Sequence, residues 1–390
     1  MYDVIIIGTG PAGLICGVEL SKTNLNVLIL EKNNVCGKKL LLTGGSRCNL
    51  TNLKPNKEFL DNVDYNKKYL YSTIYNFGPR EVYDYFSSKI NLKEEIDNRI
   101  FPASNKSSDI LNVLLEDIKF PIINNSEVLE ITPLEKGYLV KTKDSEYKTL
   151  NIVIATGGGS YPKTGSTLDS LKFASMLVQP IVDVYPAEVG IVLEEVNNIP
   201  GISIDNVVVT NNNVKKEGNL IYTHVGLSGE SIMKISEFIY LNNSKSISID
   251  LLPNIPKEEL IGLINSNKEK NISTFLTSYF PKRFINYLLQ KVNIEDRKIK
   301  QLIHRDINII CSLLKELNYK VKKVNDLEVA YVTGGGIDIN YLDNKTFESK
   351  LNRGAYFIGE AVDIHGPIGG YNITLALSTG YSCAKGIINK

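Results

Sequence analysis

YDVIIIGTGPAGLICGVELSKTNLNVLILE, residues 2–31, is the stretch that decides the fold of this 390-residue chain. It opens with a short β-branched run that ends at Ile7 and continues through the glycine-rich turn GTGPAG at 8–13. Apolar residues at helical spacing follow over 14–20, and a second apolar run ends at Glu31. Run, turn, helix and run in this order predict a βαβ unit.

The glycines of the turn have the spacing that a dinucleotide requires. Gly8 permits the tight turn, Gly10 lets a pyrophosphate approach the backbone, and Gly13 lets the helix pack closely on the strand. The phosphates would lie at the N-terminus of the helix, beside Pro11 and Ala12. A turn of this kind can also do no more than connect packed elements, but the flanking strands favour a nucleotide site.

Two residues at the end of the second apolar run extend this predicted site. Glu31 is placed to accept hydrogen bonds from an adenosine ribose, and an acceptor there disfavours a 2′-phosphate. Lys32 follows directly. We expect both residues to contact the cofactor.

The rest of the chain changes character at Pro186. Before it, residues 66–118 are expected to be largely helical and residues 127–155 to form short alternating strands. After it, strand-like segments and a Lys-rich, helically periodic segment over 256–317 predict an inserted cap. Strands over 329–333, followed by three glycines, and over 355–358 then return the chain to the first domain.

Glycines follow predicted strands at three separated places, namely 8–13, 156–159 and Gly359. A simple NAD dehydrogenase needs no such C-terminal segment, whereas a long FAD molecule must be contacted at adenosine, pyrophosphate, ribityl chain and flavin ring in turn. We therefore predict FAD, with the N-terminus of a helix from about Tyr371 facing the flavin. The residues expected to contact FAD on this basis are Ala155, Thr156, Gly157, Gly158, Gly359, Glu360, Gly370 and Tyr371.

Five sequence blocks carry a resemblance to a known family. They are GTGPAGL, GKKLLLTGGSRCNLTN, ATGGGSYPKTGSTLD, YTHVGLSGESI and YFIGEAVDIHGPIGGYN, and they span nearly the whole chain. On these blocks the sequence resembles the bacterial YhiN-type or BaiN-like FAD-dependent flavoproteins, also labelled aminoacetone oxidase-like, within the glutathione-reductase-like class of FAD folds. The resemblance implies an α/β fold with a Rossmann-like FAD-binding domain and β-meander, interrupted by a flattened β-barrel and a helical subdomain.

The resemblance also sets expected boundaries and contacts. We expect the FAD-binding domain at 1–186 and 329–390, the barrel-like domain at 187–252 and 318–328, and the helical subdomain at 253–317. By position, the residues implied to hold FAD are Lys39, Leu40, Ser46, Arg47, Asn49, Val128, Glu360, Asn372 and Ile373. The sequence departs from the family pattern at Ser46, usually glycine, at Glu230, usually proline, and at His365, often an acid.

The resemblance implies an FAD-dependent oxidoreductase in which hydride passes between the flavin and a small organic substrate. We favour reduction of a conjugated double bond by NADH or NADPH, which would bind transiently because the sequence has no second nucleotide-binding unit. A flavin-dependent amine oxidase and a flavin-containing accessory protein in RNA modification remain the alternatives. Candidates for proton transfer are His365, near the flavin-facing helix, His224 and Tyr161.

The charge balance argues against several classes of partner. The chain has 44 Lys and Arg against 43 Asp and Glu, so we expect neither a dedicated nucleic-acid binder nor a membrane-surface protein. No apolar run is long enough to cross a bilayer, and we expect a cytoplasmic protein. The five cysteines show no Cys-x-x-Cys pair, so neither a disulfide framework nor a metal site is expected. No pattern indicates an oligomeric state.

Overall fold

The computed structural model describes residues 1–195 and 198–390, and strands alternate with helices at both ends of the chain. The strands are β1 (Tyr2–Ile7), β2 (Val27–Leu30), β3 (Thr51–Asn52), β4 (Leu92–Glu95), β5 (Arg99–Pro102), β6 (Ile122–Ile123), β7 (Val128–Pro133), β8 (Tyr138–Thr142), β9 (Glu146–Ile154), β10 (Ile181–Ala187), β11 (Ile191–Leu193), β12 (Ser203–Asn211), β13 (Val214–Tyr222), β14 (Gly226–Ser228), β15 (Ser246–Asp250), β16 (Leu317–Val324), β17 (Val332–Ile337) and β18 (Ala355–Phe357). The α-helices are α1 (Pro11–Leu20), α2 (Lys38–Ser46), α3 (Asn56–Asp61), α4 (Tyr71–Asn76), α5 (Pro79–Ser87), α6 (Ser107–Glu116), α7 (Asp169–Met176), α8 (Glu230–Leu241), α9 (Lys257–Ser266), α10 (Ile272–Leu276), α11 (Lys282–Lys291), α12 (His304–Lys315) and α13 (Tyr371–Ile388).

The first thirty residues form the predicted βαβ unit. Val4, Ile5 and Ile6 of β1 have no exposed surface, as expected for a central parallel strand that is covered on both faces. Pro11 occupies the first position of α1, where a proline leaves no helical hydrogen bond unmade. The local sequence pattern is therefore sufficient to explain this unit.

Five parallel strands of the main sheet end at the same level, including the short β6, whose last residue Ile123 is in register with Leu30. Strand β1 lies between β2 and β9, and the second half of β9 pairs with β18. Ile7 is in register with Leu30 and with Ile154, and Ile154 is in register with Phe357. Each of these residues is the last of its strand, so the segments that follow them meet at one edge of the sheet.

The predicted β-meander is present beside these strands. Strand β7 pairs antiparallel with β8, and β8 pairs antiparallel with the first half of β9.

Helices α1 and α13 pack together against the same core, where a Cβ on Gly380 would lie 2.2 Å from the carbonyl oxygen of Ala12. A glycine in α13 is therefore needed for this close helix packing.

Two segments differ from the sequence prediction. Residues 92–102, expected to be part of a largely helical region, contain β4 and β5, which form a small sheet with β3. The glycines at 334–336, expected after a strand, lie inside β17. A Cβ on Gly334 would lie 2.3 Å from the ring of Tyr185, and β17 pairs with β10. The glycines permit this close strand approach, so they extend the strand instead of ending it.

The described chain separates into two compact units, residues 1–185 with 327–390, and residues 186–326. These limits lie close to the expected ends of the FAD-binding domain. The division of the second unit into a barrel-like part and a helical subdomain at 253–317 stays a prediction.

The second unit contains a closed six-stranded barrel in the order β11, β14, β13, β12, β15 and β16, so the predicted inserted barrel is confirmed. Helices α9 to α12 lie between β15 and β16 in the chain. The phenol groups of Tyr222 and Tyr319 are 2.9 Å apart, and that of Tyr287 in α11 lies 3.0 Å from Tyr319.

Glu230 begins α8, a position that suits either an acid or a proline. No helix among the described residues is long and apolar enough to cross a membrane.

Candidate cofactor site

The segments that follow four of the aligned strand ends surround one cleft. Gly8 follows β1, Glu31 follows β2, Ala155 follows β9, and Gly359 lies shortly after β18. The cleft contains about 1330 Å³ of empty space, counted to the solvent at its mouth. The carboxyl ends of parallel strands are where open α/β sheets bind ligands.

Most of the residues predicted to contact FAD line this cleft. They are Gly8, Gly10, Pro11, Ala12, Glu31, Lys32, Lys39, Leu40, Val128, Ala155, Thr156, Gly157, Gly359, Glu360, Asn372 and Ile373. Seven others are not part of its lining, namely Gly13, Ser46, Arg47, Asn49, Gly158, Gly370 and Tyr371. Direct contact with FAD stays a prediction for both groups.

The three glycines of the turn are required for different reasons. A Cβ on Gly8 would lie 2.5 Å from the carbonyl oxygen of Ala155, and a Cβ on Gly13 would lie 2.2 Å from that of Gly8. A Cβ on Gly10 would meet nothing closer than Ala155, at 4.0 Å. Packing within the protein therefore explains Gly8 and Gly13 but leaves Gly10 free to accept a side chain.

The need for glycine at position 10 is instead explained by a ligand. Gly10 lines the cleft directly before the first turn of α1 and has an ordinary extended backbone. A side chain there would fill the space in which a pyrophosphate meets the helix N-terminus. Thr156 adds a buried hydroxyl in the cleft wall for which the described residues provide no hydrogen-bond partner. Both observations fit a bound dinucleotide.

Glu31 is buried at the end of β2 and organises the turn. One carboxylate oxygen accepts hydrogen bonds from the backbone N–H of Thr9, at 3.0 Å, and from its hydroxyl. The other accepts from the backbone and side-chain nitrogens of Asn33, each at 2.8 Å. A carboxylate offers about four acceptor sites. A ribose hydroxyl that binds Glu31 must therefore share or replace one of these donors.

Lys39 and Glu360 form an ion pair in the cleft wall, although 321 residues separate them. The Lys39 ammonium lies 2.6 Å from Glu360 Oε2 and 2.5 Å from the hydroxyl of Ser160. Glu360 Oε1 accepts hydrogen bonds from the backbone N–H of Thr333, at 3.0 Å, and from Ser160, at 3.2 Å. One polar network thus joins α2, the start of β17 and the segments that follow β9 and β18.

This network determines the protonation of Glu360. Burial alone acts to raise the pKa of its carboxyl, but the charge and hydrogen bond of Lys39 and the hydrogen bond from Thr333 outweigh it. The net effect holds the pKa of Glu360 below its usual range. Glu360 is therefore an anion at neutral pH and acts as a hydrogen-bond acceptor in the cleft.

Segment 37–49 carries several of the residues implied to hold FAD and contains α2, whose backbone leaves helical geometry at Thr43, Gly44 and Gly45. Gly44 and Gly45 have left-handed backbones, and Ser46 shares this conformation at φ 67°. Ser46 therefore adopts the geometry that explains the glycine usual at this position in the family. Arg47 pairs with Glu95 and lies 4.4 Å from the ring centre of Phe101.

Two of the proton-transfer candidates lie in the first unit. The pKa of Tyr161 is raised by burial and by Tyr331, whose side chain lines the cleft. His365 is only 4% exposed, with its ring 5.5 Å from that of Tyr65 and 6.1 Å from that of Tyr185. Neither candidate lines the cleft itself.

His365 is nevertheless linked to the cleft by its neighbour. The backbone N–H and carbonyl of Gly366 are both hydrogen-bonded to the side chain of Asn372, at 2.9 and 2.7 Å, and Asn372 lines the cleft. Burial raises the pKa of Asp363, two residues earlier, and the charge of His365 partly counteracts this. The third candidate, His224, is exposed in the second unit.

Sequence reasoning missed several polar residues of the cleft. Ser160 and Thr333 complete the Lys39–Glu360 network, and Thr9 and Asn33 complete the environment of Glu31. Thr9 lies within the glycine turn, so its place beside the acid could have been inferred. Thr333 carried no such signal, because only the pairing of distant strands brings it here.

A family model and individual relatives both match nearly the whole length of the chain. A model described as the HI0933-like protein Rossmann domain matches residues 2–386. The chain belongs to this HI0933-like family. It is 30% identical to ribosomal RNA dihydrouridine synthase of Escherichia coli, over 99% of this chain and 98% of that protein. It is 26% identical to 3-dehydro-bile acid delta(4,6)-reductase of Clostridium scindens, over 99% of this chain and 98% of that protein.

Solved structures agree on the fold of this HI0933-like protein. A flavocytochrome c3 fumarate reductase matches with a TM-score of 0.55 at 14% identity, over 100% of this chain and 78% of that chain. A 3-ketosteroid-delta4-(5alpha)-dehydrogenase of Rhodococcus jostii matches with a TM-score of 0.53 at 11% identity, over 100% of this chain and 97% of that chain. The predicted family and FAD fold are confirmed, and the protein is an FAD-dependent oxidoreductase.

Proposed function

We propose that this protein reduces a carbon–carbon double bond conjugated to a carbonyl group, and that its substrate is a uridine of ribosomal RNA. The observation that supports this most is the 30% identity to ribosomal RNA dihydrouridine synthase over nearly the full length of both chains. Dihydrouridine is formed when the double bond of the uracil ring, conjugated to its C4 carbonyl, gains two hydrogen atoms.

The second relative supports the same class of reaction. The name of the delta(4,6)-reductase describes reduction of double bonds in a 3-dehydro steroid, in which they are conjugated to a ketone. The two relatives thus differ in substrate but share the bond type. A small conjugated ketone is therefore the second candidate substrate for this chain.

The proposal departs from the expectation, based on the neutral net charge, that nucleic acid is not a partner. Net charge reports the average over a chain, and a local basic surface can bind RNA within a neutral protein. Full-length similarity to an enzyme of ribosomal RNA is the stronger argument.

The cleft residues have defined roles in this proposal. Bound FAD supplies the hydride once it has been reduced, and we propose NADH or NADPH as the reductant. The turn at Gly8–Gly13 would hold the pyrophosphate, and the Lys39–Glu360 pair would present an anionic hydrogen-bond acceptor to the cofactor. A proton must then reach the carbon next to the carbonyl, and the candidates for this step are His365, Tyr161 and His224.

The test is a direct assay of the purified, FAD-loaded protein under anaerobic conditions with NADH or NADPH. An unmodified ribosomal RNA transcript is the first substrate and a 3-oxo-4,6-diene steroid is the second. We expect digested RNA to contain uridine heavier by two hydrogen atoms, detected by mass spectrometry. Reduction of the steroid alone would support the second candidate, and reduction of neither would refute the proposed reaction.

Single substitutions in the same assay identify the proton donor. His365→Gln, Tyr161→Phe and His224→Gln are each expected to retain the flavin spectrum. Loss of the residue that supplies the proton should slow turnover by about a hundredfold or more and remove one limb of the pH profile. Wild-type rates in all three variants would refute these candidates and leave bound water or another group of the cleft as the proton source.

A further inference from the structure

Positive charge is concentrated in one part of the second unit. Residues 257–315 contain 11 of the 44 Lys and Arg but 6 of the 43 Asp and Glu. The remainder of the chain is therefore net negative. Charge asymmetry of this kind is typical of a segment that meets an anionic partner.

The fold gathers part of this charge into a cluster. The segments 268–272 and 297–300 lie side by side: Ile299 donates its backbone N–H to the carbonyl of Lys270, at 2.9 Å, and Lys300 donates to that of Lys268, at 3.1 Å. An antiparallel bridge links Asn271 and Lys298. Side chains from distant sequence positions are thereby brought together. We define the basic cluster as Lys268, Lys270, Arg297, Lys298 and Lys300.

The acids near the basic cluster are mostly engaged in structural contacts. Asp296 accepts hydrogen bonds from the backbone and hydroxyl of Ser273 at the start of α10, at 3.1 and 2.6 Å. Asp306 pairs with Arg297 at 3.0 Å in the first turn of α12. Glu269 contacts two of the lysines, at 2.8 Å from Lys300 and 3.6 Å from Lys298.

The side chains of the basic cluster remain accessible. Lys298 and Lys300 keep 48% and 47% of their surface exposed, and Lys268 and Lys270 are exposed as well. Exposed lysines on a short, hydrogen-bonded scaffold suit the phosphates of a nucleic-acid backbone, which are recognised by charge more than by shape.

We propose that the basic cluster is a docking surface for the phosphate backbone of RNA. The choice of RNA over another polyanion rests on the proposed function. The surface would supply affinity and orientation without reading sequence, since lysine–phosphate contacts carry no base information. This role also explains why base-stacking aromatic residues need not alternate with the lysines.

The first test replaces Lys268, Lys270, Lys298 and Lys300 together by Gln. We expect the dissociation constant for a ribosomal RNA transcript to rise by about tenfold or more at moderate salt, and the salt dependence of log K to fall by about 3. Binding is measured by fluorescence anisotropy without any reductant. The flavin absorbance and the thermal midpoint verify that the variant is folded.

A matched control carries the same change of charge elsewhere in the second unit. Lys215, Lys245, Lys320 and Lys322 are exposed lysines on or beside the barrel strands. Their joint replacement by Gln is expected to change RNA affinity by less than about threefold, because the proposal places the bound phosphates at the basic cluster and charges beyond a Debye length are screened by salt. Equal weakening in both quadruple variants would overturn the docking surface in favour of a general charge effect.

Glu269→Gln provides a change of the opposite sign. Removal of this acid releases Lys298 and Lys300 from their anionic partner, so we expect RNA to bind about two- to fivefold more tightly and with a steeper salt dependence. Unchanged or weaker binding would contradict the proposal. Preferential binding of the wild-type protein to vesicles of phosphatidylglycerol over RNA would also overturn it, in favour of a lipid surface.

The outcomes separate this inference from the proposed function. Dihydrouridine formation with unchanged affinity in the cluster variant would refute the docking surface alone. RNA binding through the basic cluster without dihydrouridine formation would support the docking surface and refute the proposed reaction.

Discussion

The glycine turn, residues 8–13, is held in place by close backbone contacts and by the nearby carboxylate of Glu31, whereas segment 37–49 contains side chains that pair with distant parts of the chain. In the turn, Gly8 and Gly13 leave no room for a Cβ beside neighbouring carbonyl groups. In the segment, Lys39 and Arg47 are positioned by acids 321 and 48 residues away. An added Cβ forces the backbone at a close contact to move, whereas the loss of one side-chain partner removes only that hydrogen bond or ion pair. We therefore expect substitutions in the two regions to have effects of different size on the free energy of unfolding and on FAD affinity.

The largest expected effect is that of Gly13→Ala. The added Cβ would lie 2.2 Å from the carbonyl oxygen of Gly8, so α1 must move away from β1. We expect the free energy of unfolding of the apo-protein to fall by about 3 kcal/mol. Urea unfolding followed by circular dichroism measures this change. Gly10→Ala is the matched control, since its Cβ is 4.0 Å from the nearest atom and should cost less than about 1 kcal/mol.

Gly10→Val is expected to remove the cofactor while the fold persists. Its side chain would occupy cleft space that the protein leaves empty, so the pyrophosphate could not approach the backbone. We expect FAD affinity to fall by at least about a hundredfold, or about 2.8 kcal/mol, as measured by flavin fluorescence titration. A variant that purifies with full yellow colour would place the pyrophosphate elsewhere.

The contrast between the two regions also explains how much the sequence could predict. The βαβ unit, Gly13 and Glu31 follow from local rules, because their nearest partners, Gly8 and Thr9, lie within about thirty positions. The close approach that requires Gly8 involves Ala155 of a different strand end and could not be read from local sequence. The partners of Lys39 and Arg47 could not be inferred, since strand register decides which distant side chains meet. The glycines at 334–336 illustrate the same limit: their neighbour Tyr185 lies in β10, far away in sequence.

The smallest expected effects come from substitutions at Lys39 and Arg47, two of the cations of segment 37–49. Lys39→Met removes the partner of Glu360, so the charge and hydrogen bond of Lys39 no longer counteract the rise that burial causes in the pKa of that carboxyl. At neutral pH, Glu360 would then be an anion without its counter-charge, so we expect the variant to be less stable by about 1–2 kcal/mol. Adding Glu360→Gln to this variant should recover much of the loss, because no uncompensated charge remains.

The pH dependence of this loss follows from the direction of the shift. The pKa of Glu360 is lowered in the folded wild-type protein, so the stabilisation is complete above the ordinary value of 4.5 and disappears as the pH falls through the lowered value. The stability difference between wild type and Lys39→Met should therefore shrink below about pH 4.5. A difference that stays constant with pH would mean that Lys39 stabilises the fold by packing alone.

Arg47→Met is the matched comparison, since it removes a cation from the same segment. Arg47 is 38% exposed and pairs with Glu95 outside the cleft lining, and exposed ion pairs contribute little to stability. We expect it to bind FAD nearly as wild type does, whereas Lys39→Met should bind FAD about tenfold more weakly, a difference of about 1.4 kcal/mol. Flavin fluorescence titration of both variants measures this. Equal loss of FAD in the two variants would mean that Arg47 also reaches the cofactor, through a rearrangement of the turn at Gly44–Ser46.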